Sequence, residues 1–288
     1  MVKYKLIMRE IHIKEVTNVI SDLCIKSNIF LPNDVKKILN KYSENNDNKI
    51  KNNIVDLLIE NYKYAEEKNI PICQDTGLVV VFAKIGQNVK IVGGSLKEAI
   101  NDGVANGYHN GYLRCSIVTD PLYSRNNTNN NTPAIIYTDV VCGDKIEITV
   151  VPKGFGSENM SKIKMMTPTS GEEDVIDFVK ETIETAGANA CPPVVIGIGI
   201  GGDFEYCAYL AKKALCRSID IRNDDKRYED LELKILNEVN KLNIYQQGFS
   251  SNVTALAVNI EWYPTHIASL PVAVNMGCHA TRHLTAII

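Results

Sequence analysis

At 288 residues, 45% of them hydrophobic and 23% charged, the chain has an ordinary globular balance and length for one large core or two small ones. A formal net charge of -3 argues against a nucleic-acid footprint or a basic membrane patch. No run of 18 apolar residues occurs, and Met1 to Glu10 lacks the apolar core of a secretory leader, so a cytoplasmic protein is expected and the N-x-[ST] matches at Asn126, Asn159 and Asn252 are chance.

The first 70 residues read as helical. Ile13, Val16, Val19, Ile20 and Leu23 recur at helical spacing within Glu10 to Lys26. Pro32-Asn33-Asp34 starts a second helix through about Tyr42, and Glu44 to Lys49 is a polar loop. A third helix covers Ile50 to Lys68, with Ile54, Leu57, Leu58, Tyr62 and Ala65 on one face. Leu78 to Ile85 is an apolar strand, Val89 to Val92 another, and Ser95 caps a helix to about Val104. Ser124 to Thr132 is Asn-rich and predicts a solvated loop. Ala134 to Val141, the turn Cys142-Gly143-Asp144, and Lys145 to Val151 read as a β-hairpin. Lys153 to Gly171 has little periodicity and predicts a long functional loop. A helix over Gly171 to Thr185, a buried strand within Pro192 to Gly199 and a helix over Asp203 to Leu215 follow. Ser218 to Arg222 is a very short strand, Lys226 to Leu242 a charged amphipathic helix, and Thr254 to Trp262 and Leu270 to Asn275 are strands. The expected fold is α+β in a single domain, residues 1-288: N-terminal helices followed by a largely antiparallel sheet flanked by helices.

Eight cysteines need a role. A reducing compartment disfavours disulfides, and no CxxC pair occurs to build a zinc ribbon. Cys24, Cys115, Cys142, Cys207 and Cys216 lie in apolar or amphipathic runs and read as buried hydrophobes. Cys73, Cys191 and Cys278 sit at breaks in the pattern, beside Pro, Gly, Asp or His. Three thiolates would leave one iron of a [4Fe–4S] cube open to substrate, where it acts as a Lewis acid. The plain alternative is three inert thiols.

Other constellations carry two readings each. Gly197 to Gly202 is a literal G-x-G-x-x-G with Asp220 beyond it, the basis for a rival nicotinamide-dependent oxidoreductase. The following segments do not continue as βαβ units, so a Gly-rich turn for close strand–helix packing is favoured, and the helix start remains open to a carboxylate. Lys153-Gly154-Phe155-Gly156-Ser157-Glu158 is a carboxylate cradle or a surface loop. Asp75, two residues from Cys73, is a proton donor or an orienting group. Of His266, His279 and His283, the first falls in a break between strands. Arg114 stands in an apolar run, where a buried cation needs a partner. A third hypothesis is a non-catalytic scaffold subunit with buried cysteines.

Pro71-Ile72-Cys73-Gln74-Asp75-Thr76-Gly77 closely resembles a motif of class I fumarases and L-tartrate dehydratases. Asn131 to Ala134, Pro152 to Asn159, Ala190 to Pro193, Gly197 to Gly202 and Asn275 to His283 resemble further blocks of that family, in the family's order. The resemblance implies that Cys73, Cys191 and Cys278 ligate a [4Fe–4S] cluster. It implies that Gln74, Asp75, Arg114, Gly156 and His266 line the substrate pocket, with Asp75 and His266 catalytic and Asp75 the acid. Single-chain members continue past the point where this chain stops, so it resembles the α subunit of the two-subunit type. A separate β subunit would then bring the general base, a Thr by analogy, and further cations, in an α2β2 assembly. The implied reaction is reversible hydration of fumarate to L-malate, with dehydration of L-tartrate as the alternative.

Overall fold

A computed structural model describes residues 8–44, 49–244 and 253–288, without the side chains of 49–53. The expected polar loop after Glu44, most of the stretch before Glu10 and the match at Asn252 fall outside these residues. Contacts divide the chain into two compact units. One comprises the chain up to Leu31, Tyr64–Lys153 and Arg282–Ile288; the other comprises Pro32–Lys63 and Gly154–Thr281.

In the first unit, β1 (Arg9–His12) runs into α1 (Ile13–Ile29) and pairs in parallel with β3 (Val89–Val92). A four-stranded sheet has the order β10 (Leu284–Ile287), β5 (Ile146–Lys153), β2 (Leu78–Gly86), β4 (Ile135–Val141). Val79 to Val81 on β2 are all buried, the near-continuous apolar run of a strand covered on both faces. Val16, Ile20 and Leu23 of α1 pack with Ile100 and Val104 of α4 (Leu96–Asn110) over Ile146, Ile148 and Val150 of β5. Ser95 caps α4 by accepting the Glu98 N–H, as expected, and the helix continues to Asn110.

The expected hairpin over Ala134 to Val151 does not form. β2 lies between its two strands, with Val80 opposite Ile135 in parallel and Val81 opposite Val150 antiparallel. The more apolar β2 takes the central place, and β4, with Ile135 and Val140 exposed, takes the edge.

The second unit contains α2 (Asn33–Glu44), while α3 (Lys49–Lys68) runs from it into the first. Its sheet has the order β6 (Lys162–Met166), β9 (Leu270–Gly277), β7 (Val194–Gly202), β8 (Ala255–Thr265). Helices α6 (Glu172–Ala186), α7 (Phe204–Ala214) and α8 (Lys226–Lys241) complete it, with a one-turn α5 (Phe155–Glu158). Ile196, Ile198, Val258, Ile260, Val274 and Met276 form the core with Val179, Ile183 and Ile235. The long loop expected over Lys153 to Gly171 therefore holds a helical turn and a strand.

Gly197 and Gly199 lie within β7 rather than in a turn. A Cβ on Gly199 would stand 1.9 Å from the Cys207 carbonyl oxygen of α7, so these glycines admit the helix backbone. Ser218 to Arg222 forms a turn instead of a strand. Asp34 Oδ2 accepts the Ser218 hydroxyl (2.7 Å) and the Ile219 N–H (2.8 Å), and this capture of a backbone donor replaces sheet pairing. The fold is α+β as expected, and each four-stranded sheet has two antiparallel pairings and one parallel. Among the described residues, no helix is long and apolar enough to cross a membrane.

Candidate functional site

In the first unit, Pro71 to Gly77 connects α3 to β2 as irregular backbone, so every polar group needs a specific partner. The Ile72 N–H donates to Asn28 O at 2.9 Å. The Asp75 N–H donates to Cys73 Sγ at 3.4 Å, and the Gly77 N–H donates to Asp75 Oδ1 at 3.0 Å. Buried Thr76 donates its hydroxyl to Arg114 O at 2.8 Å, and the buried Tyr108 hydroxyl lies 2.5 Å from Thr76 O. Asn131, fully buried, donates to Gly77 O at 3.1 Å and accepts the Ser116 N–H at 2.8 Å. Gly77 has φ +80 and lies against the Lys153 backbone, a conformation and a clearance that only glycine meets.

These buried groups hold the segment from beneath while Cys73 and Gln74 are exposed and Asp75 is half-buried. Two expectations are corrected here. Arg114 is exposed, because the run from Leu113 to Val118 buries only Leu113. Asn131 leaves the solvated Asn-rich loop to become the core of this turn.

In the second unit, Cys191 follows a 3-10 turn (Gly187–Ala190) with left-handed backbone, φ 55 and ψ 62. Such a conformation in a residue with a Cβ persists only where its surroundings enforce it. Its carbonyl accepts the His279 N–H at 3.3 Å, with His279 Nδ1 at 3.2 Å, so the Cys191 turn is tied to the residue after Cys278. Thr281 Oγ1 donates to Cys278 O at 2.7 Å. Gly156 is exposed on α5, and a Cβ there would stand 3.5 Å from Asn189 O, two residues before Cys191. Glu158 pairs with Lys212 and accepts from Asn275 Nδ2 at 2.9 Å, which anchors this segment to β9.

His266 lies on the exposed link between β8 and β9. Its Nδ1 accepts the Ala268 N–H at 3.1 Å, so the neutral ring carries its proton on Nε2. Each unit thus gathers part of the expected set: Cys73, Gln74, Asp75 and Arg114 in one, Gly156, Cys191 and Cys278 in the other, with His266 on a separate link.

The cysteines separate by environment. Burial raises the thiol pKa of Cys24, Cys115, Cys207 and Cys216, the last to about 12, and keeps these thiols protonated. Cys142 is exposed rather than buried, because it stands in the turn after edge strand β4. Cys73 is exposed, and Cys191 and Cys278 are half-buried. Accessible sulfurs on constrained backbone, one receiving an N–H, are a donor set of the kind an iron–sulfur cluster takes. Among the described residues, no three His, Cys, Asp or Glu side chains are grouped to hold a metal ion.

Asp203 decides how the start of α7 is used. Its carboxylate accepts the Tyr206 N–H at 2.8 Å and occupies the place a pyrophosphate or a substrate carboxylate would take. The residues that sequence reasoning missed are the buried polar ones. Tyr108 lies beyond the expected helix end near Val104, in the part of α4 that the sequence did not mark as helical, and Arg282 is hidden in the block after Cys278, where only its place in the motif marked it.

The hydro-lyase character of the chain rests on comparison with known proteins. Residues 17–287 match the family model described as Fumarate hydratase (Fumerase), and the chain belongs to that family of hydro-lyases. It is 41% identical over 278 residues to a protein of Methanocaldococcus jannaschii named "Putative L(+)-tartrate dehydratase subunit alpha", covering 93% of this chain and 95% of that one. It is 30% identical over 278 residues to the L(+)-tartrate dehydratase subunit alpha of Escherichia coli K12, covering 96% and 91%. The corresponding subunit of Escherichia coli O157:H7 matches equally. The family is generally iron–sulfur dependent.

Proposed function

We propose that this chain is the α subunit of a two-subunit iron–sulfur hydro-lyase that interconverts fumarate and L-malate in the cytoplasm. Cys73, Cys191 and Cys278 would hold a [4Fe–4S] cluster. When bound, the cluster supplies a Lewis-acidic iron open to substrate oxygens.

The observation that carries this reading is the Cys73–Gly77 turn, where one backbone N–H meets the Cys73 sulfur and another fixes the Asp75 carboxylate. Asp75 is thereby held two residues from a ligand. It delivers a proton to the hydroxyl that leaves L-malate and recovers it from water in the reverse direction. Arg114, exposed and cationic, pairs with one substrate carboxylate. Gln74, the Gly156 N–H and the Nε2–H of His266 donate to the remaining oxygens, and His266 can pass a proton. A dicarboxylate carries two negative charges, and Arg114 neutralises one. That shortfall, with relatives named as α subunits, supports a separate β subunit that supplies further cations and the general base, in an α2β2 assembly.

A second reading, dehydration of L(+)-tartrate, is favoured by the names of the relatives. Anaerobic co-expression with the β subunit tests both, with iron and sulfide counts and assays on fumarate and L(+)-tartrate. About four irons per chain with loss of fumarate absorbance is the expected result. Iron with turnover of tartrate alone selects the second reading, and an iron-free active preparation overturns both.

A further inference from the structure

Arg282 stands four positions after Cys278 and is only 3% exposed. Its Nη1 donates to Asn28 Oδ1 at 2.9 Å and its Nη2 to the Asp75 carbonyl at 2.7 Å. Both acceptors are uncharged amide oxygens, and the Nε is buried without a partner. Asn28 is fully buried at the end of α1; it accepts the Ile72 N–H and donates through Nδ2 to Cys24 O at 2.9 Å. The guanidinium therefore completes a clamp that grips the Cys73 segment on either side of the cysteine, at Ile72 and at Asp75.

A buried guanidinium with an unused N–H and neutral acceptors costs folding free energy that an apolar side chain of similar length would not. Its location suggests what offsets that cost. It touches the segment that carries the exposed Cys73, and a thiolate-ligated iron–sulfur cluster is an anion that fixed positive charge nearby stabilises.

We infer that Arg282 is a positioning residue for the iron–sulfur centre: it locks the Cys73–Asp75 peptide from inside and provides the internal positive charge that stabilises the anionic cluster. This rests on the function proposed above. Two properties are separable by substitution. Arg282→Lys keeps the charge but cannot reach both acceptors in one plane, whereas Arg282→Met removes charge and clamp together.

The test uses the full α chain with its β subunit, prepared anaerobically. Iron per chain, the rate of cluster bleaching in air and the cluster's midpoint potential are measured for wild type and both variants, with the melting temperature of each iron-free protein. Both variants are expected to hold iron roughly 10- to 100-fold less tightly. Arg282→Met should also shift the potential downward, because the more negative reduced cluster loses its compensating charge, while Arg282→Lys stays near the wild-type potential. A purely structural residue would lower the melting temperature and leave the potential in place. If Arg282→Met does not fold, wild-type iron retention and bleaching in Arg282→Lys overturn the inference. A folded Arg282→Met with wild-type iron content, bleaching and potential overturns it directly. A wild-type protein that takes up no iron removes the functional reading itself, and the inference falls with it.

Discussion

Asp75 shows how much one side chain's setting can say about its role. Its Oδ1 is engaged by the Gly77 N–H, so Asp75→Asn keeps an acceptor in place and preserves the turn. What the variant loses is the transferable proton. In anaerobic steady-state assays kcat should fall roughly 10²- to 10⁴-fold while KM changes little; unchanged turnover would remove Asp75 from the chemistry. Arg114→Met should act the other way. Loss of a charge-assisted contact to carboxylate should raise KM about tenfold or more, with Arg114→Lys recovering only part of it. An unchanged KM in the Met variant would place the carboxylate elsewhere. Asp75 was legible in the sequence because it stands beside a cysteine at a break. Asn131 was not, since one asparagine in an Asn-rich run is chosen for burial by Ser116 and Gly77, which only the folded chain brings to it.

Elements carry a different kind of information. The strand β7 and the helix α7 approach through Gly197 and Gly199, and the nearest obstacle to a Cβ on Gly199 is backbone, which cannot rotate away. Gly199→Ala should therefore destabilise the protein by at least the ~1–3 kcal/mol of ordinary overpacking, read as a lower melting temperature. Gly156→Ala meets its nearest atom at 3.5 Å and should leave the melting temperature almost unmoved. Equal behaviour of the two variants would contradict the packing account. β7 was legible as a buried strand and the glycines as a strand–helix contact, but they lie within the strand rather than in a turn, and Asp203 fills the anion position. The expected hairpin failed for a related reason. A short turn between two alternating runs is a local signal, and the choice of β2 as neighbour to both strands depends on its greater burial.

At the scale of the whole molecule, buried thiols couple stability to alkaline pH. Cys24 and Cys216 have folded-state pKa values raised by burial from an ordinary value of 9.0, that of Cys216 to about 12. A raised folded-state pKa means that the unfolded chain releases these protons first. The stability they contribute is complete below about pH 9 and is lost as pH rises toward 12. Urea midpoints should fall across that window, and less steeply in Cys216→Ser; an equal slope in the variant would assign the loss to other groups.

The sequence by itself determined the family, through motifs that run in order from Pro71 to His283, together with the α+β class and most helix and strand positions. It also singled out Cys73, Cys191 and Cys278, because punctuation by Gly, Pro, Asp and His is local and survives in one dimension. Only the tertiary structure decided the strand orders, the division into two units, the exposure of Arg114, and the burial of Asn131 and Arg282. Periodicity records which face of an element turns inward. It does not record which distant residue waits there, and the partners of a buried amide or guanidinium are set by contacts between residues as far apart as Asn28 and Arg282.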